Sequence, residues 1–305
     1  MADAVDTSTN PSAPVAAADR PAHAGHRPGA AAVAIPATLV PDGGGWHFLH
    51  IYYRVDRAAL GQIDEGRRAE GRAQVTAALD SARSSATMQL QSFAVPGHRA
   101  DFGLMMAGTD LREIHDVQMA VQASALGPAL VPTYSFYSIT EISEYVPDVE
   151  AYGKMLRDRE QLDPTSRVYE TKLKAYADRL VPMNKQRLTP DFPDWPCFCF
   201  YPMSKMRSGQ QNWYTLPFAE RNELMSQHGK SGMKYAGKVM QVITASTGLD
   251  DWEWGVTLWG KNPSYLKDIV YTMRFDESSA KYALFGDFYF GYLLPIAELL
   301  DTVRV

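Results

Sequence analysis

The first folded stretch of the chain is predicted from the spacing of its apolar and polar residues. Alternation at every second position, or a run of β-forming residues, is typical of a strand, and recurrence at every third or fourth position is typical of a helix. Six segments between residues 46 and 143 follow these patterns. In chain order they are a strand at 46–55, a helix at 60–83, strands at 86–95 and 100–108, a helix at 110–127 and a strand at 133–143.

The second folded stretch repeats this order of patterns. Its strands are predicted at 197–205, 238–246, 252–260 and within 281–294, and its helices at 216–229 and 263–276. Two successive strand-helix-strand-strand-helix-strand units are typical of a duplicated ferredoxin-like fold. We therefore predict an α+β protein in which two ferredoxin-like units pack face to face or close into a barrel.

Two segments fall outside the repeated units. Residues 1–44 are rich in Ala, Pro, Gly, Ser and Thr, and they are predicted to form a disordered tail because they cannot bury enough apolar surface to offset the entropy of ordering. The charged, helix-like sequence at 147–192 predicts a helical connector. The two ferredoxin-like halves are then expected at 45–146 and 193–305.

Composition and charge narrow the class of function. The 305 residues are 46% hydrophobic and carry a formal net charge of −5, which argues against nucleic-acid binding through a broad basic face. No run approaches the roughly 18 apolar residues of a membrane-spanning helix. The sequence also lacks the glycine-rich nucleotide-binding motifs and the G-x-S-x-G motif of acyl-transfer enzymes.

The two cysteines bear on the compartment of the protein. Cys197 and Cys199 stand at positions i and i+2 of a predicted strand, a spacing that suits neither an ordinary disulfide nor a C-x-x-C metal site. We interpret them as small core residues. A reducing cytoplasm is the expected compartment.

The segment YPMSKMR raises the first chemical question. Tyr201, Met203 and Lys205 alternate along a predicted strand, so their side chains share one face. One interpretation is a tyrosine at the rim of a sheet beside a solvated lysine. The other is one wall of a binding site, on which a phenol and a cation act together.

Three other positions each have an ordinary and a functional interpretation. His228, at the predicted end of the helix 216–229, is either a histidine that caps helix carbonyls or an axial haem ligand. Gln241, in an otherwise apolar strand, either faces an edge or stands over a ligand. Arg187, in a predicted loop before the strand 197–205, is either exposed to solvent or forks onto a carboxylate.

Several long motifs resemble the chlorite dismutase-like superfamily, and within it the coproheme decarboxylase branch, the hydrogen-peroxide-dependent haem synthases. These motifs are CFYPMSKMR, NWYTLPFAERNELMSQHGKSGMKYAGKV, GLDDWEWGVTLW and VYTMRFDESSAKY. The resemblance is dense from about residue 185 to 292 and looser from about 46 to 146. It does not extend with the same strength over the tail or over residues 147–184.

The resemblance implies a duplicated ferredoxin-like barrel, assembled as a pentameric ring, and roles for the residues singled out above. His228 would be the axial ligand of the haem iron, and Tyr201 the redox-active tyrosine. Lys205 would lie beside a reactive propionate. Arg187 and Ser279 would anchor propionates.

Two further site residues follow from the same resemblance. Met203 would line the porphyrin together with its strand neighbours, and Gln241 would stand on the distal side of the iron. Chlorite dismutases have an arginine at this distal position and actinobacterial decarboxylases a histidine, whereas decarboxylases of low-G+C Gram-positive bacteria have the glutamine seen here. The connector is longer than the resemblance leads us to expect, which leaves a propionate contact from it, such as Tyr169, unsupported.

The function implied by the resemblance is oxidative decarboxylation. Two propionates of iron coproporphyrin III (coproheme) would become vinyl groups, giving haem b, with hydrogen peroxide as the oxidant and a tyrosyl radical on Tyr201. The iron porphyrin would be both substrate and redox centre, and a coproporphyrin ferrochelatase would be a transient partner. The alternatives are a chlorite dismutase or peroxidase on the same fold, and a haem-binding or haem-transfer protein without turnover.

Overall fold

A closed ring of strands is the central feature of the computed structural model, which describes residues 39–305. The predicted tail at 1–44 falls outside the described residues except for its last six. Among these, Asp42–Gly44 form a single 3-10 turn.

The elements of the N-terminal half follow the predicted order. They are β1 (His47–Val55), α1 (Arg57–Gln62), α2 (Glu65–Arg83), β2 (Met88–Ala94), β3 (Phe102–Gly108), α3 (Leu111–Ala123) and β4 (Leu130–Ile139). The segment predicted as a helical connector contains α4 (Val149–Asp158) and α5 (Arg167–Leu188).

The C-terminal half repeats the order with several short additions. Its elements are β5 (Cys197–Lys205), β6 (Arg207–Ser208), β7 (Gln211–Asn212), α6 (Phe218–Met233), β8 (Val239–Ala245), β9 (Trp254–Gly260), α7 (Pro263–Met273), α8 (Glu277–Ala280), β10 (Ala283–Phe285), β11 (Tyr289–Leu293) and α9 (Ile296–Thr302).

Both halves have the strand order of a ferredoxin-like unit. The order is β4-β1-β3-β2 in the N-terminal half and β11-β5-β9-β8 in the C-terminal half. When the four main strands of each half are numbered along the chain, both orders read 4-1-3-2. The prediction of a duplicated ferredoxin-like α+β fold is therefore confirmed.

The two halves close a single barrel. β2 pairs with β11 through Ala94 and Tyr292, and β4 pairs with β8 through Ile139 and Ala245. β10 and β11 both pair with the edge of β5 that β9 leaves free, so they act as one interrupted strand. The result is a ring in which every main strand has a neighbour on both edges.

Aromatic side chains from both halves fill the interior of the barrel. The rings of Phe93 and Phe198 stack with centroids 4.0 Å apart, and Tyr52 contacts Phe200 across the interior. Side chains alternate across a strand, so the inward direction of Phe198 and Phe200 turns Cys199 and Tyr201 to the outside. Both cysteines are buried and unbridged, as predicted.

Several predicted elements differ in their bounds, including the strand at 133–143, which is Leu130–Ile139, and the helix at 110–127, which is Leu111–Ala123. The helix at 60–83 is two helices, because the carboxylate of Asp64 accepts the backbone N–H of Arg67 and starts α2 anew. The helix at 216–229 continues to Met233. The last strand is divided between β10 and β11.

No helix in residues 39–305 is both long enough and apolar enough to cross a membrane.

Candidate functional site

The outer sheet face of the N-terminal half is covered by helices in direct contact with it. Leu79 of α2, Ile114 of α3 and Leu299 of α9 pack in one cluster with Leu104 and Met106 of β3. These side chains are all essentially excluded from solvent. This half therefore buries its outer face as a continuous apolar core.

The outer face of the C-terminal half is covered differently. α7 packs on it through Leu266 and Ile269, but no apolar residue of α6 joins that cluster in the described part of the chain. The buried Leu224 of α6 packs instead with Trp213 and Tyr282. Since α6 and α2 occupy equivalent places in the two repeats, we infer a cleft between α6 and the sheet of the second repeat, where the first has a core.

Cross-strand register places predicted site residues on one wall of this cleft. Tyr201 of β5 is opposite Val256 of β9, which is opposite Ile243 of β8. Gln241 lies in the next row of the same face, opposite Leu258. With strands about 4.8 Å apart, the backbones at Tyr201 and Gln241 are about 10 Å apart across the sheet and about 7 Å along it.

The β8 end of this wall is open, which distinguishes it from the covered β5 end. Ile243 is 44% exposed, and Gln241 beside it is also exposed. Met203 continues the wall toward the other end, opposite Trp254 and Phe285, and is half-buried. The wall thus offers an apolar surface with an amide at its open end.

Tyr201 is held by aromatic neighbours. Its ring stacks on Phe288 with centroids 4.4 Å apart and lies 5.8 Å from Phe285. Burial raises the pKa of its phenol, and the positive charge of Arg274, whose guanidinium lies 4.5 Å from the Phe285 centroid, opposes that rise. Tyr201 therefore keeps its phenolic hydrogen at neutral pH.

Lys205 is buried, so its interpretation as a solvated lysine is wrong. Its Nζ donates to the carbonyl of Ser278 at 3.2 Å and lies 4.0 Å from the centroid of the Trp213 ring. Burial lowers the pKa of the amine to about 8, and the negative charge of Glu253 opposes that shift. The carboxylate of Glu253 also accepts the backbone N–H of Lys205 at 2.7 Å.

His228 lies within α6 rather than at its end, so the interpretation of His228 as a cap of helix carbonyls is wrong. Gly229 does not stop the helix, which runs on to Met233. After α6 the backbone first takes the left-handed conformation at Gly237, where φ is 75°. His228 is therefore presented from the side of the helix.

The imidazole of His228 is oriented from one side. Its Nδ1 lies 3.2 Å from Oδ2 of Asp276 and 3.4 Å from the hydroxyl of Ser279. The other carboxylate oxygen of Asp276 accepts the hydroxyl of Ser231 at 2.7 Å. Burial lowers the pKa of His228, the charge of Lys205 lowers it further, and Asp276 opposes both.

These contacts determine what His228 can offer chemically. A neutral imidazole whose Nδ1 faces a carboxylate carries its proton on Nδ1, which leaves the lone pair of Nε2 for a metal. The described residues contain no cluster of three or more His, Cys, Asp or Glu side chains suited to a metal ion. A single histidine beside an apolar cleft fits a haem iron, whose other ligands come from the porphyrin.

The structure places Arg187 in a helix and not in the predicted loop. It lies in the last turn of α5. Burial lowers the pKa of its guanidinium, and Tyr176 of the same helix opposes that shift. Among the described residues, no hydrogen bond or ion pair joins Arg187 to the other predicted site residues, so its role as a propionate anchor stays a prediction.

Three residues near the site were missed by reasoning from the sequence. Asp276 faces His228, Trp213 lies under Lys205, and Arg274 acts on Tyr201. Asp276 and Arg274 stand in the motif MRFDESSA, of which only Ser279 was singled out. The acidic residue three positions before Ser279 was the feature of the sequence that could have identified Asp276.

Comparisons with known sequences agree on one family. A model of the family described as Chlorite dismutase matches residues 68–294. The coproheme decarboxylase of Staphylococcus carnosus is 38% identical over 261 residues, which span 85% of this chain and 95% of that protein. A protein of Halobacterium salinarum whose name describes heme binding is 39% identical over 274 residues, 86% of this chain and 50% of its own length.

Comparisons with solved structures give the same fold. A heme-binding protein from Thermus thermophilus superposes with a TM-score of 0.71 at 35% identity, over 86% of this chain and 96% of its own. A variant of chlorite dismutase from Candidatus Nitrospira defluvii superposes with a TM-score of 0.64 at 16% identity, over 86% and 97% of the two chains. The second likeness speaks to the fold alone.

Proposed function

The chain belongs to the chlorite dismutase family, and we propose that it is an oxidative decarboxylase that converts coproheme to haem b. Two propionates of the substrate become vinyl groups, with hydrogen peroxide as the oxidant. The identity of 38% to the coproheme decarboxylase of Staphylococcus carnosus, over 95% of that protein, supports this substrate and reaction.

One observation carries the proposal. A buried phenol and a buried ammonium, Tyr201 and Lys205, stand on the same face of β5, and the oriented imidazole of His228 lies near Lys205 on the other side of the cleft. A plain haem carrier needs the histidine but not a buried, destabilising lysine. A decarboxylase needs a cation for the carboxylate and a group that can take a hydrogen atom.

Binding of the substrate is assigned to residues on both sides of the cleft. His228 would bind the iron through Nε2, with Asp276 holding the ring. The outer face of β5, β8 and β9 would pack on the porphyrin, with Met203 as part of it. Lys205 would hold the reacting propionate by charge, which orients its β-carbon toward Tyr201.

Arg187 and Ser279 are proposed as anchors of further propionates. The guanidinium of Arg187 has no carboxylate partner among the described residues, so it is free to bind one. Ser279 has a hydroxyl 3.4 Å from His228, which would let it touch both the ligand histidine and a propionate.

The chemistry divides between substrate and protein. Bound coproheme supplies the redox centre at which hydrogen peroxide is reduced to water. Tyr201 gives up one electron and its phenolic proton, and as a neutral radical it takes a hydrogen atom from the β-carbon of the propionate. Carbon dioxide and a second electron then leave. One propionate, one peroxide and one proton thus give one vinyl group, one carbon dioxide and two waters.

Gln241 is proposed to act on the distal side, where its amide can hydrogen-bond incoming peroxide. It is uncharged, so it would not attract an anionic oxidant such as chlorite as an arginine would. We further propose a cytoplasmic homo-oligomer, pentameric as the resemblance implies, that receives coproheme from a ferrochelatase.

A pair of substitutions tests the assignment of the reaction. Tyr201→Phe keeps the stack on Phe288 but removes the phenolic hydrogen, so we expect coproheme binding to persist and vinyl formation to fall by more than about 100-fold. Product formation equal to that of the wild type would refute the role of Tyr201.

Gln241→Arg supplies the distal cation that a chlorite dismutase uses, so oxygen evolution from chlorite is expected to be higher in that variant than in the wild type. Oxygen evolution by the wild type at the rate of haem formation would instead indicate a chlorite dismutase.

A further inference from the structure

Lys205 contacts a second side chain that can be oxidised. Its Nζ lies 4.0 Å from the centroid of the Trp213 ring, and Trp213 is only 3% exposed. A cation over an indole stabilises the neutral ring. Removal of an electron from that indole would place a second positive charge beside the ammonium, in surroundings where water screens little of the repulsion.

Trp213 has two tyrosine rings as neighbours, and neither of them is Tyr201. The Tyr282 ring lies 5.5 Å from it and the Tyr145 ring 6.5 Å, measured between centroids. Burial raises the pKa of the Tyr145 phenol and the neighbouring carboxylate of Glu144, whose side chain is 56% exposed, raises it further. An oxidation that reached Trp213 could therefore pass to Tyr282 or Tyr145 instead of staying on Tyr201.

Oxidation of Tyr201 does not meet the same obstacle. A tyrosine loses its proton together with the electron and ends as a neutral radical, so a nearby cation adds little to the cost. An indole first forms a cation radical and bears the full repulsion from Lys205. The ammonium of Lys205 therefore makes oxidation of Trp213 harder and leaves oxidation of Tyr201 nearly unchanged, because only the oxidised indole is positively charged.

We propose, on the basis of the decarboxylase function above, that Lys205 has a second role: its ammonium keeps oxidation on Tyr201 by making Trp213 the harder side chain to oxidise. The step that it suppresses is the attack of peroxide equivalents on Trp213. In that step one peroxide takes two electrons from the indole, one oxygen atom is added to the ring and one water is released.

Two substitutions at one position separate this role from the binding of propionate. Lys205→Met removes the charge at similar length, and Lys205→Arg keeps a cation over the ring. Both substitutions disturb the contact with the substrate, but only Lys205→Met removes the positive charge from above the Trp213 ring. Each purified protein is loaded with coproheme, checked by its Soret spectrum, and treated with a few equivalents of hydrogen peroxide.

Peptide mass spectrometry then measures oxygen addition at Trp213, and electron paramagnetic resonance of frozen samples identifies the radical. We expect at least tenfold more oxidised Trp213 per peroxide in Lys205→Met than in the wild type or Lys205→Arg. We also expect a tryptophan or Tyr145 radical that the double variant with Trp213→Phe lacks. Lys205→Gln replaces Lys205→Met if the latter fails to fold.

Two results would overturn the proposal in distinguishable ways. Equal oxidation of Trp213 in Lys205→Met and Lys205→Arg, with normal haem formation in the wild type, would refute the protective role alone. Absence of haem formation in the wild type, with peroxide left unconsumed, would refute the decarboxylase function and this inference with it.

Discussion

The carboxylate of Asp276 lies 3.2 Å from Nδ1 of His228, and Ser231 binds its other oxygen at 2.7 Å. The three residues belong to α6 and to the turn after α7, so the orientation of the imidazole depends on how these elements pack. A carboxylate behind a ligand histidine raises the basicity of the nitrogen that faces the metal. Asp276 is therefore expected to strengthen the bond from His228 to iron.

Asp276→Asn should weaken that bond. Loss of the negative charge is expected to speed the loss of bound haem about 10- to 100-fold. Transfer of haem to apomyoglobin measures the rate, and the iron–histidine stretching frequency should fall in the ferrous form. Glu277→Gln is the matched control, since Glu277 is exposed and pairs with Lys281 at 2.6 Å. Equal rates in both variants would contradict the role of Asp276.

Lys205 should destabilise the folded protein in the absence of substrate. Its pKa is about 8 in the folded state, against 10.5 ordinarily, so the unfolded chain binds more protons between these values. Keeping Lys205 charged at pH 7 thus costs about 3 kcal/mol, and the cost disappears as the pH rises through 8 toward 10.5.

Lys205→Met is therefore expected to raise the free energy of unfolding at pH 7 by about 1–3 kcal/mol, after allowance for the lost Ser278 contact. Urea unfolding at pH 7 and pH 10 should show the gain shrinking at the higher pH. Lys154→Met, at an exposed position of α4, should change stability by less than about 0.5 kcal/mol. A Lys205→Met protein less stable than the wild type at pH 7 would exclude this explanation.

Binding of the substrate carboxylates should depend on the charge of Lys205. Metal-free coproporphyrin III has the propionates without the iron, so its affinity reports on the cation and not on His228. We expect its affinity to fall as the pH rises above about 8, where Lys205 loses its proton. The charged and titratable groups that face Lys205 are Glu253 and His228, and Arg207 lies 3.9 Å from the carboxylate of Glu253.

Fluorescence titration between pH 6.5 and 9.5 measures this dependence. Lys205→Met should bind more weakly at pH 7 and show no fall above pH 8. A fall of the same size in that variant would assign the pH dependence to another group.

The substitution Gly255→Ala tests the packing of the barrel interior. A Cβ at this position would come within 2.6 Å of the Phe136 ring, which is fully buried. Gly255→Ala should therefore destabilise the protein by about 1–3 kcal/mol. Gly229→Ala is the matched control, because a Cβ added there would meet no atom within 4 Å and the residue stands inside a helix. It should stabilise the apoprotein by about 1 kcal/mol, and equal effects of the two changes would contradict the packing described.

The order of elements could be predicted from the sequence because each strand and helix has its own local pattern. Alternation along β8 was enough to place Gln241 and Val242 on opposite faces, as the structure shows. The duplication followed from the order alone, and the closed barrel was one of the two outcomes expected. Closure depends on only a few residue pairs between the halves, such as Ile139 with Ala245, and these leave no local signal.

The site was harder to predict because it depends on contacts between distant segments. Asp276 reaches His228 from a separate helix turn far along the chain, and Lys205 donates to the carbonyl of Ser278, which is also far along the chain. Gly229 suggested a helix end because glycine often ends helices, but the packing of α6 on α7 and α8 overrides that preference. Arg187 shows the same limit, since its helix continues through Pro182.

The most direct test of the proposed reaction is mass spectrometry of the porphyrin after coproheme is bound and hydrogen peroxide is added in steps. The account predicts loss of one carboxyl group and then a second, through a monovinyl species to haem b, with one peroxide consumed in each step. Bound coproheme of unchanged mass, or porphyrin that is only bleached, would contradict it.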